Sequence, residues 1–435
     1  MKRILYLIPM LLITATIYGQ ETRTISKEEV INQTELNNST IKISGFNLNS
    51  VKGEYNQTKA FFLPTVGVSY TGISTTNPLM AFGSKLNQGN LTQNDFNPDL
   101  LNNPERVGNF STRVEVSQPL FNLDGQYQRK AIRAKLSATS VQTNLIRDKT
   151  VLEVEQGYMQ LQLAYKTVQV LKTLESTASE NLRLAENNLE QGYVQRADVM
   201  LVKIRVAETH NQLLQASSNI ANVSNYLSIV MGDSSNVILV PSDSLIMENA
   251  KVFIQTLSMN RADVLAVNYA KEVNEHMYKS SKMSYIPRLN AFGSYELNDN
   301  DFLGSDRDGY LVGAKLSWNL FEGNKRIGLI QTRKAEFEKS KVEYNQYVAQ
   351  SELELNKAKR AFEDSKRNIE TANLIVEQSK EALRIRTDKF EQGLEKTVDL
   401  LHAATQYGQA QLNQANAIFN YNVLLKYLEF LTKEK

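Results

Sequence analysis

The 435-residue chain carries 49 basic and 47 acidic residues, a formal charge of +2, so it has no electrostatic bias toward nucleic acid or an acidic substrate. It contains no cysteine, which excludes disulfides and a lipid attached through an amino-terminal cysteine. No later segment approaches the roughly 18 consecutive apolar residues of a membrane-spanning helix, so a place in a membrane would have to come from strands.

Residues 1–20 read as a secretory signal peptide: Lys2 and Arg3, an apolar run from Ile4 to Ile13, then small and polar residues to Gly19. Residues 21–63 read as a polar lead and then a helix over about Asn47 to Phe62, which Pro64 ends because the residue before proline leaves the helical region. The period then changes to two. In a strand at about 64–75, Val66, Val68 and Tyr70 alternate with Thr65, Ser69 and Thr71; in a second at about 109–118, Phe110, Val114 and Val116 alternate with Ser111, Arg113, Glu115 and Ser117. Each run has about the length of a tilted transmembrane strand, with one face for lipid and one for water. The connection from Thr75 to Gly108 is rich in Asn, Gly and Pro and is too long for a compact core, so it reads as a loop outside the membrane.

After Pro119-Leu120-Phe121 a long helix is expected at about 126–191. Its seam is Val154, Leu161, Val168, Leu182 and Leu189, interrupted at Glu175, with Gly157, Ala164, Ala178 and Ala185 as small partners. Gly192 to Ala197 is a turn, and a return helix runs at about 198–231, half as long as its partner. Residues 232–260, with Pro241, form a connection that reads as a lateral, equatorial patch; a helix at about 261–285, ended by Pro287, supplies the turns that the return helix lacks.

The pattern then recurs, shifted by 201 positions. A third strand at about 288–298 has Leu289, Ala291, Tyr295 and Leu297 on one face; an acidic turn runs from Asn298 to Asp308; a fourth strand at about 309–318 carries Val312, Ala314, Leu316 and Trp318. A helix at about 326–391 repeats the seam as Val348, Leu355, Phe362, Ile369, Val376, Leu383 and Phe390, with Ser351, Ala358, Ser365, Ala372 and Ser379 as the small row. Proline-free and keeping its heptad, such a helix would be on the order of 100 Å long. The Gly393 to Val398 turn and a return helix at about 399–431 close the copy. Glu190-Gln191-Gly192 with Asp198 matches Glu391-Gln392-Gly393 with Asp399, and Tyr226 and Leu227 match Tyr427 and Leu428. The chain therefore reads as two structural repeats, 21–231 and 261–435: mainly α with a membrane β section, in a duplicated order of strand, strand, long helix and return helix. Four strands cannot close a barrel, and open edges in lipid leave backbone groups unpaired. Two chains would give eight strands filled by side chains, three would give twelve around a water-filled lumen.

This order, duplicated, resembles the outer-membrane efflux protein (TolC) family over essentially the whole mature chain. The residues that carry the likeness are Gly192 with Asp198, Gly393 with Val398-Asp399-Leu400-Leu401, the Leu-Phe pairs at 120–121 and 320–321, and Pro64 with Pro287. The resemblance implies a homotrimer in the outer membrane of a Gram-negative bacterium, its twelve-stranded β-barrel continuous with a twelve-helix periplasmic α-barrel. It implies a periplasmic adaptor and an inner-membrane efflux transporter as partners, with the turns at Gln191, Gly192, Tyr193, Gln392, Gly393 and Leu394 as docking points. The function implied is a passive exit duct of a tripartite pump. The exit duct of a type I protein-secretion system shares the architecture, and a non-porous periplasmic coiled-coil stalk is the alternative of another class, against which the four strands argue.

Asp198 and Asp399 each stand six residues past a glycine, either as helix caps or as a ring of carboxylates at the periplasmic mouth. Where the family commonly has another Asp one turn later, this chain has His402, and a ring of three imidazoles would change charge near neutral pH. The family's locking Tyr and Arg are replaced by Phe390 and Glu395, so those bonds cannot form in the same way; Lys396 or Arg196 could substitute. Gln406, Gln409, Asn413, Asn416 and Asn420 share one face of the last helix, either lining the lumen or forming a solvated outer face. His210, His276 and His402 fall on different helices without HExxH spacing, and no glycine-rich phosphate loop is present, so neither catalysis nor a metal or other cofactor is expected.

Overall fold

The computed structural model describes residues 21–233, 235, 237–250 and 256–433; the expected leader at 1–20 lies outside them. In chain order the elements are β1 (Thr22–Ile25), α1 (Lys27–Asn37), α2 (Ser39–Gln57), a 3-10 turn (Thr58–Phe61), β2 (Thr65–Thr75), α3 (Pro78–Asn87), a 3-10 turn (Gln93–Phe96), α4 (Pro98–Asn102), β3 (Val107–Phe121), α5 (Leu123–Glu190), α6 (Arg196–Met231), β4 (Ile238–Pro241), α7 (Ala262–Met283), β5 (Arg288–Asp299), β6 (Arg307–Ser317), α8 (Lys325–Glu391) and α9 (Thr397–Thr432). They form two compact units that cut across the sequence repeats. One takes in the described residues of Met1–Gly45, Thr143–Arg261 and Gln350–Lys435, the other Phe46–Gln142 and Ala262–Ala349.

In the first unit, α5 lies against α6 and α8 against α9. The heptad rows form their cores: Val154, Leu161 and Val168 with Ile220, Val223 and Leu227, and Leu355, Phe362 and Ile369 with Tyr421, Leu425 and Leu428. The small row sets the approach. A Cβ at Gly157 would come 2.8 Å from Leu227 Cδ2, so a larger residue there would displace the buried Leu227 side chain. The duplication extends to hydrogen bonds: Tyr226 donates to Glu153 at 2.7 Å, and Tyr427 donates to Glu354. Burial and the adjacent carboxylate push the Tyr226 phenol up to about 12. The interruption at Glu175 also has a reason. Its carboxylate meets His210 Nδ1 of α6 at 2.6 Å, while the inward place is taken by the preceding residue, Leu174, which packs with Val170 and Leu171.

The expected polar lead is in fact β1, α1 and the start of α2, and the helix expected over about Asn47 to Phe62 begins earlier, at Ser39, and closes in the 3-10 turn at Phe61. Strand β1 pairs in parallel with β4 from the 232–260 connection, Thr22 opposite Ile238 and Ile25 opposite Pro241. This two-stranded patch is seated on the α5–α6 pair: Tyr165 donates to the Leu239 carbonyl at 3.1 Å, and Ser224 Oγ accepts from the Leu239 N–H at 3.1 Å. Residues 251–255 of the connection lie outside the described part.

In the second unit, four antiparallel strands take the order β2-β3-β5-β6. The register lines up one face across all four: Val66, Val116, Gly293 and Val312 in one row, Val68, Val114, Tyr295 and Tyr310 in the next. The opposite face carries Ser69, Arg113, Glu296 and Gly309, with an Arg113–Glu296 ion pair at 2.7 Å. Strands β2 and β6 each have a neighbour on one side only. Pro119 sits beside an irregularity of register between Pro119 and Phe121, beyond the last β2 partner at Ser117. Trp318 falls one residue outside β6, its indole N–H donating to the Tyr285 carbonyl at 3.0 Å. At the same end the Asp124 carboxylate, in the first turn of α5, pairs with Arg288 at the start of β5.

The β2–β3 connection is not a bare loop. It folds into α3 and α4, capped by Asn77 and Asn97 side chains with proline at the first helical turn. Gln88 Nε2 ties it back to the sheet through the Gly108 carbonyl at 2.8 Å and Asn109 Oδ1 at 2.7 Å. Lys85 donates to Asp95 at 2.7 Å, and that bond with the Thr92 backbone N–H holds the Asp95 carboxyl down at about 2.

Because the Asp95 value lies below the ordinary 3.8, its contribution to the order of this connection is present above that pH and is lost as pH falls through about 2. Pepsin cleavage within 76–106 should stay slow down to about pH 4 and accelerate toward pH 2, and Asp95→Asn should flatten that profile. Buried Phe362 stacks on Tyr421 at 5.1 Å, so Phe362→Ala should cost about 3–5 kcal/mol in equilibrium denaturation. Val342→Ala, at an exposed position of α8, should change stability by less than about 0.5 kcal/mol.

Candidate functional site

The two helix turns of the first unit lie side by side. Each long helix ends where its chain must adopt a left-handed backbone: Gly192 has φ 77° and Gly393 φ 70°. The orphan carbonyls of the last turn are then satisfied by the Tyr193 N–H to Asn188 O at 2.8 Å and the Leu394 N–H to Lys389 O at 2.9 Å. Only glycine takes this geometry without strain. The remaining turn residues expected as docking points, Gln191, Tyr193, Gln392 and Leu394, are all exposed.

Between the turns is an apolar plug. Phe390 and Leu400 of the second repeat are buried against Ala185, Val199 and Val202 of the first. Asn188 Nδ2 donates to the Phe390 carbonyl at 3.4 Å, and a Cβ at Gly393 would stand 3.9 Å from the Tyr193 ring. Phe390, where the resemblance implies a tyrosine, is therefore core. Glu395, where it implies an arginine, is largely buried and pairs with Arg386 of α8 at 3.1 Å. The sequence hides that pair, because nine residues and a turn separate its members. Neither Arg196 nor Lys396 has an ion-pair partner among the described residues.

Neither aspartate is the N-cap. Gln195 holds that place for α6 and Lys396 for α9, so Asp198 and Asp399 both stand at the third helical position. Asp198 Oδ2 accepts the Gln195 backbone N–H at 2.9 Å, closing a capping box. The Asp399 carboxylate, half-buried, has no hydrogen-bond or ion-pair partner among the described residues. His402 is exposed one turn later, its Nε2 3.3 Å from Gln406 Nε2. Gln406, Gln409, Asn413, Asn416 and Asn420 continue that face and are all exposed, linked by Gln409 Nε2 to Asn413 Oδ1 at 2.9 Å. The amides present donors and acceptors without net charge, a surface that holds water and does not trap ions. No cluster of three metal-ligating side chains occurs among the described residues.

The sequence matches the profile of the outer membrane efflux protein family over residues 30–233 and 253–426. No curated protein sequence is significantly similar. Among solved structures, the fold is similar to that of CusC, at 14% identity and a TM-score of 0.82, covering 94% of this chain and 92% of that one. It is also similar to VceC of Vibrio cholerae, an outer membrane protein (15%, 0.80, covering 94% and 96%), and to the outer membrane channel CmeC of Campylobacter jejuni (16%, 0.80, covering 93% and 85%). With more than half its length matched, the chain belongs to the outer membrane efflux protein family, non-enzymatic channels of the outer membrane with a large periplasmic helical part.

Proposed function

We propose that the chain is the exit duct of a tripartite efflux pump, a passive conduit for small molecules delivered by an inner-membrane transporter through a periplasmic adaptor. Three copies join β6 of one to β2 of the next, closing a twelve-stranded barrel and a twelve-helix tunnel. The observation that carries this reading is the sheet that ends on two strands of 11 residues each, paired on one side only and matched in length, with one apolar and one polar face. Each backbone group left unpaired in lipid costs several kcal/mol, which a monomer would bear along both edges. Twelve strands leave room for water where eight do not. The two repeats, 21–231 and 261–435, then alternate around the ring.

In this duct the turns at 191–193 and 392–394 meet the adaptor. Asp399, and secondarily Asp198, narrow the periplasmic mouth with carboxylates. His402 stands just inside them, and the amide row from Gln406 to Asn420 lines the lumen.

Detergent-solubilised protein should run as a heat-modifiable trimer and conduct ions in planar bilayers. Val312→Arg, on the apolar face, should cost about 2–4 kcal/mol of membrane stability and deplete the trimer, whereas Ser69→Lys on the polar face should assemble normally. A water-soluble monomer with its strands intact would refute the duct. The mouth is tested by charge: Asp399→Asn should lower the cation-over-anion selectivity of the conductance, and unchanged selectivity would remove Asp399 from the mouth.

A further inference from the structure

The duplication lets contacts inside one copy be translated into contacts between copies. Within the chain, the first repeat is laid against the second along α5 and α9. Leu174, 8% exposed, fills the place of a missing side chain at Gly408: a Cβ there would come 2.5 Å from Leu174 Cδ1. A shift of 201 positions turns Leu174 into Ile375 on α8 and Gly408 into Ala207 on α6. Neither is covered within one copy. Ile375 is 52% exposed, on a groove of about 430 Å³ along α8 and α9, and Ala207 is exposed on α6. The neighbouring position behaves the same way: Ala415 is 3% exposed, whereas its counterpart Leu214 is 54% exposed. Apolar side chains thus stand in solvent at the two places where the repeat-to-repeat contact would have to continue.

We propose that Ile375 of one copy seats on Ala207 of a second copy, so that the contact of α8 with the neighbouring α6 reproduces, in register, the contact of α5 with α9. This rests on the ring of copies proposed above and adds which helix faces meet and at which residues. The occupant is a second copy because the complementary surface already exists 201 positions away: a small residue at 207, as at 408, opposite a branched one at 375, as at 174. The same shift sets Leu394 against the second copy's Gly192, as Tyr193 lies against Gly393.

The native chain has no cysteine, so thiols can be placed cleanly. Full-length protein carrying both Ile375→Cys and Ala207→Cys, oxidised in outer membranes, should give reductant-sensitive covalent dimers and trimers. A disulfide needs Cβ atoms roughly 3.5–4.5 Å apart, and in the equivalent contact within the chain Leu174 Cγ stands 3.1 Å from the Cβ that Gly408 lacks. Each single variant should stay monomeric on a non-reducing gel, and Leu174→Cys with Gly408→Cys should link only within one copy. The native mass of the unmodified protein in detergent is measured alongside. A trimer whose Ile375/Ala207 pair forms no intermolecular link, or whose single variants link equally well, overturns this register while leaving the ring intact. A monomeric native mass overturns both.

Discussion

A peptide N–H or C=O can be left without a partner in water but not in hydrocarbon. The sheet β2-β3-β5-β6 concentrates that constraint, because its central strands are satisfied by their neighbours and its outer strands are not. Nothing else among the described residues can cover those edges within a bilayer. No described helix is apolar and long enough to cross one. The alternation of Val66, Val68 and Tyr70 with Ser69 and Arg113 commits one face to lipid and the other to water, leaving the edges for copies of the same sheet. Membership of an outer-membrane channel family and the proposal of a closed ring both return to this point.

The helical part obeys a different rule. Its seams are narrow, heptad-spaced and lined with glycine, alanine and serine, so helices approach closely along a line instead of around a globular core. Where the seam fails at Glu175, the helix keeps its packing by moving the load one residue back to Leu174, and Gly408 accepts it. Small residues here work as sockets, and their position in the sequence decides the register.

Much of this is legible in the sequence because it rests on long periodic patterns. The seams ending at Phe390, the change to period two after Pro64, and the glycines at 192 and 393 each reflect a repeated or sterically forced choice. The illegible part is short or tertiary. Strand β1 has four residues, too few for alternation to show, and exists because β4, more than two hundred positions on, lies beside it. α3 and α4 are short helices announced mainly by Asn-Pro starts inside an asparagine-rich run that otherwise reads as loop. At the tip, the aspartates do stand at helix starts, but a glutamine and a lysine occupy the caps because the turn enters each helix three residues earlier. The Arg386–Glu395 pair depends on how the turn folds back on α8, and the seat of Tyr193 on Gly393 on how the two repeats dock, which no local pattern records.

The strand order has a bearing on biogenesis. The central pair of the sheet joins β3 to β5, and all of α5, α6, β4 and α7 lie between them in the chain. During export the first hairpin therefore emerges long before its partner, with its valines uncovered and one edge vacant, and must be kept from aggregating until the far strands arrive. Completion of the sheet is therefore a non-local step, slowed by the entropy of the long segment that it must close, whatever the finished channel carries.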